Sequence, residues 1–416
     1  MAKVRRGGFW RATLVVTAMV VLSACNPNRF ISGWVPYWNA PEGRQGFTSA
    51  ASPMFGDISP FFYSAQPDGT IALVGSASQL TTTAHEAHLR GIKVLPTITD
   101  GSGKWIMATV ILANNTSRAQ HIANIVALTA NPEIDGIDLD YEGFAFTDGT
   151  DSWATTQPVW VTFVTELAAA LHANGKLLSV TIPPTWTLGT GEVTGYTVYD
   201  QASIAPIVDR LRLMVYDWSV SSPGPISPMS WLNQVITYTN AAIPSASDRL
   251  KLQLGVPSYG RDWGRQANAS ETCPDGALNT KSIELQNMPA VIAAHGVTPT
   301  RRDPSNGEMY FTYDAVVTGY STKAVPAPPY VRPPHSAPSI PGAALGTSTG
   351  LQPALRLTPP LVQLTCTVHH YVYYPDATSI QQHAQAALTA GWAGVVIWAL
   401  GYETADVYTA LGNTAP

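Results

Sequence analysis

The sequence predicts an α/β fold, a (β/α)8 TIM barrel carrying a small α+β insertion between strands seven and eight. Three observations lead there. Eight short apolar runs recur along the chain, amphipathic segments of helical period separate them, and no Gly-rich dinucleotide fingerprint follows the first run. A parallel sheet buried on both faces needs near-continuous apolar strands, because its side chains meet packed neighbours on either side.

The runs are Ile31 to Trp38, Asp57 to Ser64, Lys93 to Thr99, Ile134 to Glu142, Leu177 to Pro184, Arg212 to Asp217, Leu252 to Tyr259 and Gly394 to Gly401. Between them, Val161, Val164, Leu167, Ala168 and Leu171 put apolar side chains on one helical face, and Gly175 offers a left-handed stop. Ile122, Ile125 and Val126 repeat that spacing before Pro132. Such a barrel needs about 250 residues. The surplus is 262–392, expected to form the insertion and to raise one wall of the cleft. It holds strand-like pieces at Met309 to Tyr313 and Thr367 to Tyr373, a Pro-rich stretch at 324–360 that reads as a flexible loop, and a helical segment from Ser379 to Thr389.

Residues 1–24 read as an export signal, with Lys3, Arg5, Arg6 and Arg11 ahead of or beside a short apolar run from Leu14 to Leu22. That run is too short to span a bilayer. It ends in Leu22-Ser23-Ala24-Cys25, which resembles a bacterial lipobox, so Cys25 is the expected lipidation site and first mature residue. The expected address is exported: the cell envelope, lipid-anchored to the outer face of the membrane, or secreted. Loss of the signal removes four cations and no acid, so the formal charge moves from -5 to -9. An acidic mature surface argues against nucleic acid as partner. Only 12% of residues are charged while 45% are hydrophobic, a composition for a large packed core. A monomer is expected, with lipid as its only membrane contact. Once Cys25 is set aside, Cys273 and Cys366 are expected to pair, since an exported compartment permits a disulfide.

The densest chemical signal is Asp135-Gly136-Ile137-Asp138-Leu139-Asp140-Tyr141-Glu142. Side chains of a strand alternate faces, so Asp138, Asp140 and Glu142 align on one side, with Ile137, Leu139 and Tyr141 on the other. Three like charges a few ångströms apart in low dielectric cannot all ionise cheaply, so at least one is expected to hold a proton at neutral pH. Glu142 lies farthest along the strand, at the mouth where barrels of this kind place catalytic groups. A carboxyl with a raised pKa there suits protonation of a leaving oxygen. A metal site would draw on His and on several loops, and no neighbouring His supports one. Asp135, of opposite parity, reads as structural.

The octapeptide resembles the DGxDxDxE signature of glycoside hydrolase family 18, the chitinase family. Met214-Val215-Tyr216-Asp217 looks like its strand-six MxYD motif, and Trp398 in Gly394 to Trp398 looks like its strand-eight tryptophan. Gly33 to Trp38 and Leu254 to Gly260 are similar to a branch that includes spore-germination and cell-wall hydrolases. One departure is Pro96-Thr97-Ile98-Thr99-Asp100-Gly101, where many members carry SxGG, which implies a cleft unlike that of a conventional chitinase.

The resemblance implies a retaining mechanism in which the substrate's N-acetyl group is the nucleophile. Glu142 would protonate the leaving oxygen and then act as base. Asp140 would hold the acetamido N–H, Asp138 would share a proton with Asp140, and Tyr216 would donate to the acetamido oxygen. Trp398 would floor the distorted sugar, with Met214 and Asp217 completing the pocket. Trp34, Tyr37 and Phe62 are further candidates for sugar contact. The implied partner is an N-acetylated amino-sugar polysaccharide of chitin or peptidoglycan type, and no cofactor or metal enters. The competing reading is a lectin-like binding protein on the same barrel.

Overall fold

A computed structural model describes residues 29–101, 106–300, 307–322 and 361–414. The expected signal, Cys25 and the Pro-rich stretch at 324–360 lie outside the described residues. Eight parallel strands close into a barrel: β1 (Ile31–Pro36), β2 (Phe55–Ala65), β3 (Lys93–Val94 and Thr97–Thr99), β4 (Gly136–Asp140), β5 (Leu177–Ile182), β6 (Arg210–Leu213), β7 (Leu252–Pro257) and β8 (Gly394–Trp398). Each pairs with its successor, and β8 pairs with β1 through Ile31 opposite Val395. Closure leaves no unpaired edge, so every barrel strand has both of its hydrogen-bonding sides satisfied.

The helices lie outside. The longest, Trp153–His172, buries Trp160, Phe163, Val164, Leu167 and Leu171 at three- and four-residue spacing, which is one face of a helix. It stops before Gly175, whose φ of 67° is the left-handed conformation that a residue without Cβ adopts at no steric cost. Several strands end earlier than the apolar runs suggest. β4 stops at Asp140 and β6 at Leu213, so Glu142, Met214, Tyr216 and Asp217 sit on the connections beyond the strand ends. β1 yields to a short 3-10 turn at Tyr37–Asn39.

Between β7 and β8 the chain builds a four-stranded antiparallel sheet in the spatial order Thr280–Glu284, Tyr259–Gln266, Val362–Tyr374, Met309–Ser321. Its second strand leaves β7 across a single residue, Ser258, so the sheet begins ahead of 262. The two pieces read from sequence as short strands are 13 residues each, paired along their length from Met309 opposite Tyr374 to Ser321 opposite Val362. Cys273 and Cys366 are joined by a disulfide that ties the loop after the second strand to the third.

The barrel interior is polar at its centre. Arg212 on β6 is fully buried, and its guanidinium reaches Asp57 at 2.5 Å and Ser59 at 2.6 Å on β2, Gln253 at 3.0 Å on β7 and Asp138 at 3.1 Å on β4. Gln253 passes the chain of hydrogen bonds on to Ser32 of β1. A lone buried cation would be costly, but here the fork meets two carboxylates and two neutral oxygens. Removing the arginine leaves Asp138 without its counter-charge and Asp57 with only the more distant Arg210 at 3.3 Å, so Arg212→Met is expected to destabilise the fold by roughly 3 to 5 kcal/mol. Urea unfolding of the two proteins measures it, and a midpoint unchanged from wild type contradicts this account of the core.

Candidate active site

β4 points Asp138 and Asp140 into the barrel while Ile137, Leu139 and Tyr141 face the helices. Tyr141 shows the outward parity directly, because its hydroxyl bonds His121 at 2.7 Å and its ring stacks on Phe163. Asp135 accepts from the Val94 backbone amide at 2.8 Å and pairs with His88 at 2.9 Å, joining β3 to the preceding helix. Its work is structural, as its parity implies.

Asp138 is saturated with donors. Ser179 at 2.6 Å and Thr181 at 3.0 Å, both on β5, donate to Oδ1, and Trp34 Nε1 at 2.9 Å and Thr97 at 2.9 Å donate to Oδ2. Arg212 adds its charge beside Oδ1. Arginine and indole can only donate, so toward Arg212 and Trp34 this carboxylate is the acceptor. Its donors come from β1, β3, β5 and β6, and proton sharing with Asp140 stays what the family resemblance implies.

Asp140, two residues on, is the opposite case. It is buried, and its Oδ1 has no hydrogen-bond partner among the described residues. Burial, followed by the charges of Glu142, Asp138 and Asp100, holds its carboxyl well above the usual range, with Arg212 pulling the other way. Burial without a donor on Oδ1 disfavours the ionised form of this carboxyl.

Glu142 begins the short helix Gly143–Thr147 and is half-buried at the barrel mouth. Burial first, then the charges of Asp100 and Asp217, push its carboxyl up to about 7. Asp100 is the site residue that strand alternation and motif reading missed. It follows β3, is buried, and accepts a 2.6 Å hydrogen bond from the Gly143 amide, so it holds the backbone turn that presents Glu142. Burial raises Asp100 to about 6 against the backbone amides of Gly143, Glu142 and Phe144. Its position at the C-terminal end of a barrel strand is the signal that could have found it.

Tyr216 is half-buried beside these acids, edge-on to Tyr259. Burial and the surrounding Tyr259, Asp140, Glu142 and Asp217 hold its hydroxyl well above its usual range, so it remains a donor. Asp217 adopts a positive φ of 61°, a strained conformation for a residue with a Cβ, and is fixed there by Tyr259 and by Arg261 at 2.7 Å. Trp398 closes the floor, packed against Phe61 at 5.1 Å and Trp34 at 5.8 Å between ring centres.

Two of the aromatic expectations fail. Phe62 is 0% exposed and packs against the half-buried Tyr37. On β2 the inward residues are Asp57, Ser59 and Phe61, and alternation sends Phe62 to the helix layer. Trp34 is also buried and acts on Asp138 rather than on a ligand. The exposed ring at this end is Trp38, 52% accessible, braced by a hydrogen bond to Tyr402.

Two hollows meet at Asp217. One, of 240 Å³, runs past Trp398, Trp38, Tyr402 and Arg261. The other, of 390 Å³, begins at Glu142, Met214 and Tyr216 and continues to Trp186, Trp218 and Trp231. The three tryptophans were not singled out from sequence, although Trp218 directly follows Asp217. A larger groove of 740 Å³ lies between the helices Met229–Ala242 and Ala377–Thr389 but bears no titratable side chain. Among the described residues no cluster of three or more His, Cys, Asp or Glu side chains has metal-binding geometry. No helix among them is long and apolar enough to cross a membrane.

Comparison with known proteins agrees with this geometry. The family model for glycosyl hydrolases family 18 matches residues 34–403, and the chain belongs to that family. The cortical fragment-lytic enzyme of Bacillus subtilis (strain 168) is 23% identical over 255 residues, covering 61% of this chain and 54% of the relative. Its namesake in Bacillus anthracis is 23% identical over 218 residues, 52% of this chain and 47% of the relative. The chain thus spans about half the length of the curated relatives it matches. Among solved structures, a chitinase from Chromobacterium violaceum ATCC 12472 superposes with a TM-score of 0.66 at 20% identity, over 92% of this chain and 98% of the other. The Bacillus megaterium QM B1551 spore cortex-lytic enzyme SleL gives 0.66 at 18% identity, over 92% and 73%. At these identities the superpositions speak to fold.

The coupled acids set a pH dependence. Glu142, raised to about 7, is protonated below that value and ionised above it, so a reaction that draws on its proton should slow as pH rises through about 7. Asp100→Asn removes one of the charges that raises Glu142, so the basic limb of kcat is expected to move to lower pH. A pH profile of kcat for both proteins checks this, and an unmoved or upward-shifted limb in the variant contradicts the coupling.

Proposed function

We propose that this family 18 protein is a glycoside hydrolase that cleaves a β-linked, N-acetylglucosamine-containing glycan with retention, using the substrate's acetamido group as nucleophile. The observation that carries the reading is Asp140. It is a buried carboxyl whose Oδ1 lacks a partner among the described residues, set between the Arg212-paired Asp138 and the proton-bearing Glu142. An acetamido N–H entering beside it supplies the missing donor and brings the carboxyl against the positive charge that develops on the sugar.

In this mechanism Glu142 gives its proton to the leaving oxygen. The acetamido oxygen, aligned by the Tyr216 hydroxyl, attacks the anomeric carbon and forms an oxazolinium ion. Glu142, now a carboxylate, takes a proton from the water that opens it. Asp138 and Arg212 remain a fixed electrostatic base beneath Asp140, which makes Asp138 a positioning group. Trp398 floors the glycone sugar, and Met214 and Asp217 bound the acetamido pocket.

Peptidoglycan-type glycan is favoured over chitin by the cortical fragment-lytic relatives and by the exported address expected from the N-terminal sequence. We propose a lipid tether through Cys25 on the same ground, with the protein acting as a monomer at the envelope. A lectin-like role is disfavoured because the proton donor and its raised pKa are both retained.

Glu142→Gln is expected to lower kcat by at least about a thousandfold while leaving saccharide affinity within a few-fold of wild type. Product analysis with N-acetylated oligosaccharides measures the first, and calorimetric titration the second. Full activity in the variant, or equal cleavage of a de-N-acetylated substrate by the wild type, removes this reading.

A further inference from the structure

The hollow beyond Glu142 differs sharply in chemistry from the one at Arg261. Its walls are aromatic. Phe146 stands against Tyr196 at 5.0 Å between ring centres, and Trp218 stands against Trp186 at 5.9 Å and Trp231 at 5.0 Å. Trp218 and Phe146 expose 46% and 53% of their surface, so their rings are open to a ligand. Pro183 and Pro184 floor the inner end, and Val220 lies at the rim. Among the described residues, the only acidic or charged side chains lining this space are Glu142 and Asp217.

The cations near it are engaged elsewhere. Arg261 is held by Asp217 on the side of the other hollow, and Arg265 donates to the carbonyls of Gly264 and Ser221 behind the loop that carries Val220. A carboxylate entering among these rings would lose water and meet acids instead of a counter-ion, which is the costly form of burial. A neutral sugar ring would lay its C–H faces on the indoles at no such penalty.

Because Trp398 floors the glycone sugar in the mechanism proposed above, the sugar across Glu142 is the leaving one. We infer that the aromatic hollow is a charge-selective subsite for the leaving sugar, taking a neutral N-acetylhexosamine and rejecting one that bears a free carboxylate. The natural consequence is a preference for glycans whose muramoyl lactyl groups are blocked as amides, or that lack them, over glycans with free lactyl carboxylates. This inference rests on the proposed hydrolytic reading for which side is which, but its selectivity is a property of the wall chemistry.

The test compares three probes on the full protein at pH 7: a chitooligosaccharide, a peptidoglycan tetrasaccharide with free lactyl carboxylates, and the same tetrasaccharide with those carboxylates converted to methylamides. The amide is expected to show a kcat/KM at least about tenfold above that of the free acid, a ratio in line with one like-charge encounter in a partly desolvated site. Raising ionic strength should increase turnover of the acid and leave the amide unchanged. Val220→Lys, which puts a cation at the rim, should narrow the gap to under about threefold by improving the acid. Equal rates for acid and amide in the wild type, or a gap indifferent to salt, overturns the inference whether or not the variant folds. If none of the probes is cleaved, tryptophan fluorescence titration separates the two ideas. Tenfold tighter binding of amide than acid then keeps the charge selection and sinks the hydrolytic reading, while equal binding sinks the selection.

Discussion

The interaction on which the site depends is the buried ion network of Arg212 with Asp57 and Asp138. It crosses the barrel from β6 to β2 and to β4, so three strands that are distant in sequence are held in register by one guanidinium. Burying such a group is tolerated only when its donors are met, and here Ser59 and Gln253 meet the remainder. The same contact that satisfies the core fixes one end of the catalytic strand. Stability and chemistry are therefore coupled through a single side chain.

From that base the acids divide their work by surroundings. Asp138 is committed to five donors, Asp140 has an unpartnered buried oxygen, and Glu142 stands at the mouth with its pKa raised to about 7. Chemically identical groups within one short segment thus sit in three different environments, to which the proposed mechanism gives the roles of fixed anion, receptive acid and proton donor. Asp100 adds a fourth carboxyl from β3 whose hydrogen bond to Gly143 shapes the turn under Glu142. Where many family members place SxGG, this chain places an acid, so the departure visible in the sequence falls on a residue that tunes the donor.

Much of this was legible beforehand, for identifiable reasons. Parallel strands buried on both faces leave apolar runs, so all eight were countable, and strict alternation in Ile137 to Tyr141 separated inward acids from outward apolar groups. Strand ends were less visible, because Met214 to Asp217 continue an apolar pattern after the β6 ladder has stopped at Leu213. Phe62 was misjudged although the signal existed: alternation from Asp57 and Ser59 points Phe61 inward. Arg212 gave a similar clue, sharing parity with Met214 and Tyr216 in an otherwise apolar strand, where a charge implies a buried partner. The tryptophan-lined wall was not readable at all, since Trp186 follows β5 while Trp218 and Trp231 lie on the loop and helix after β6, and they meet only in the fold.

The central claim is that one protein acid and the substrate's own acetamido group perform the displacement in two steps. The stereochemistry of the first product tests it most directly. Proton NMR recorded during early turnover of a β-linked N-acetylated oligosaccharide, before mutarotation, should show the β-anomer at the new reducing end. Initial release of the α-anomer would mean direct attack by water, and would contradict the mechanism built here on Asp140 and Glu142.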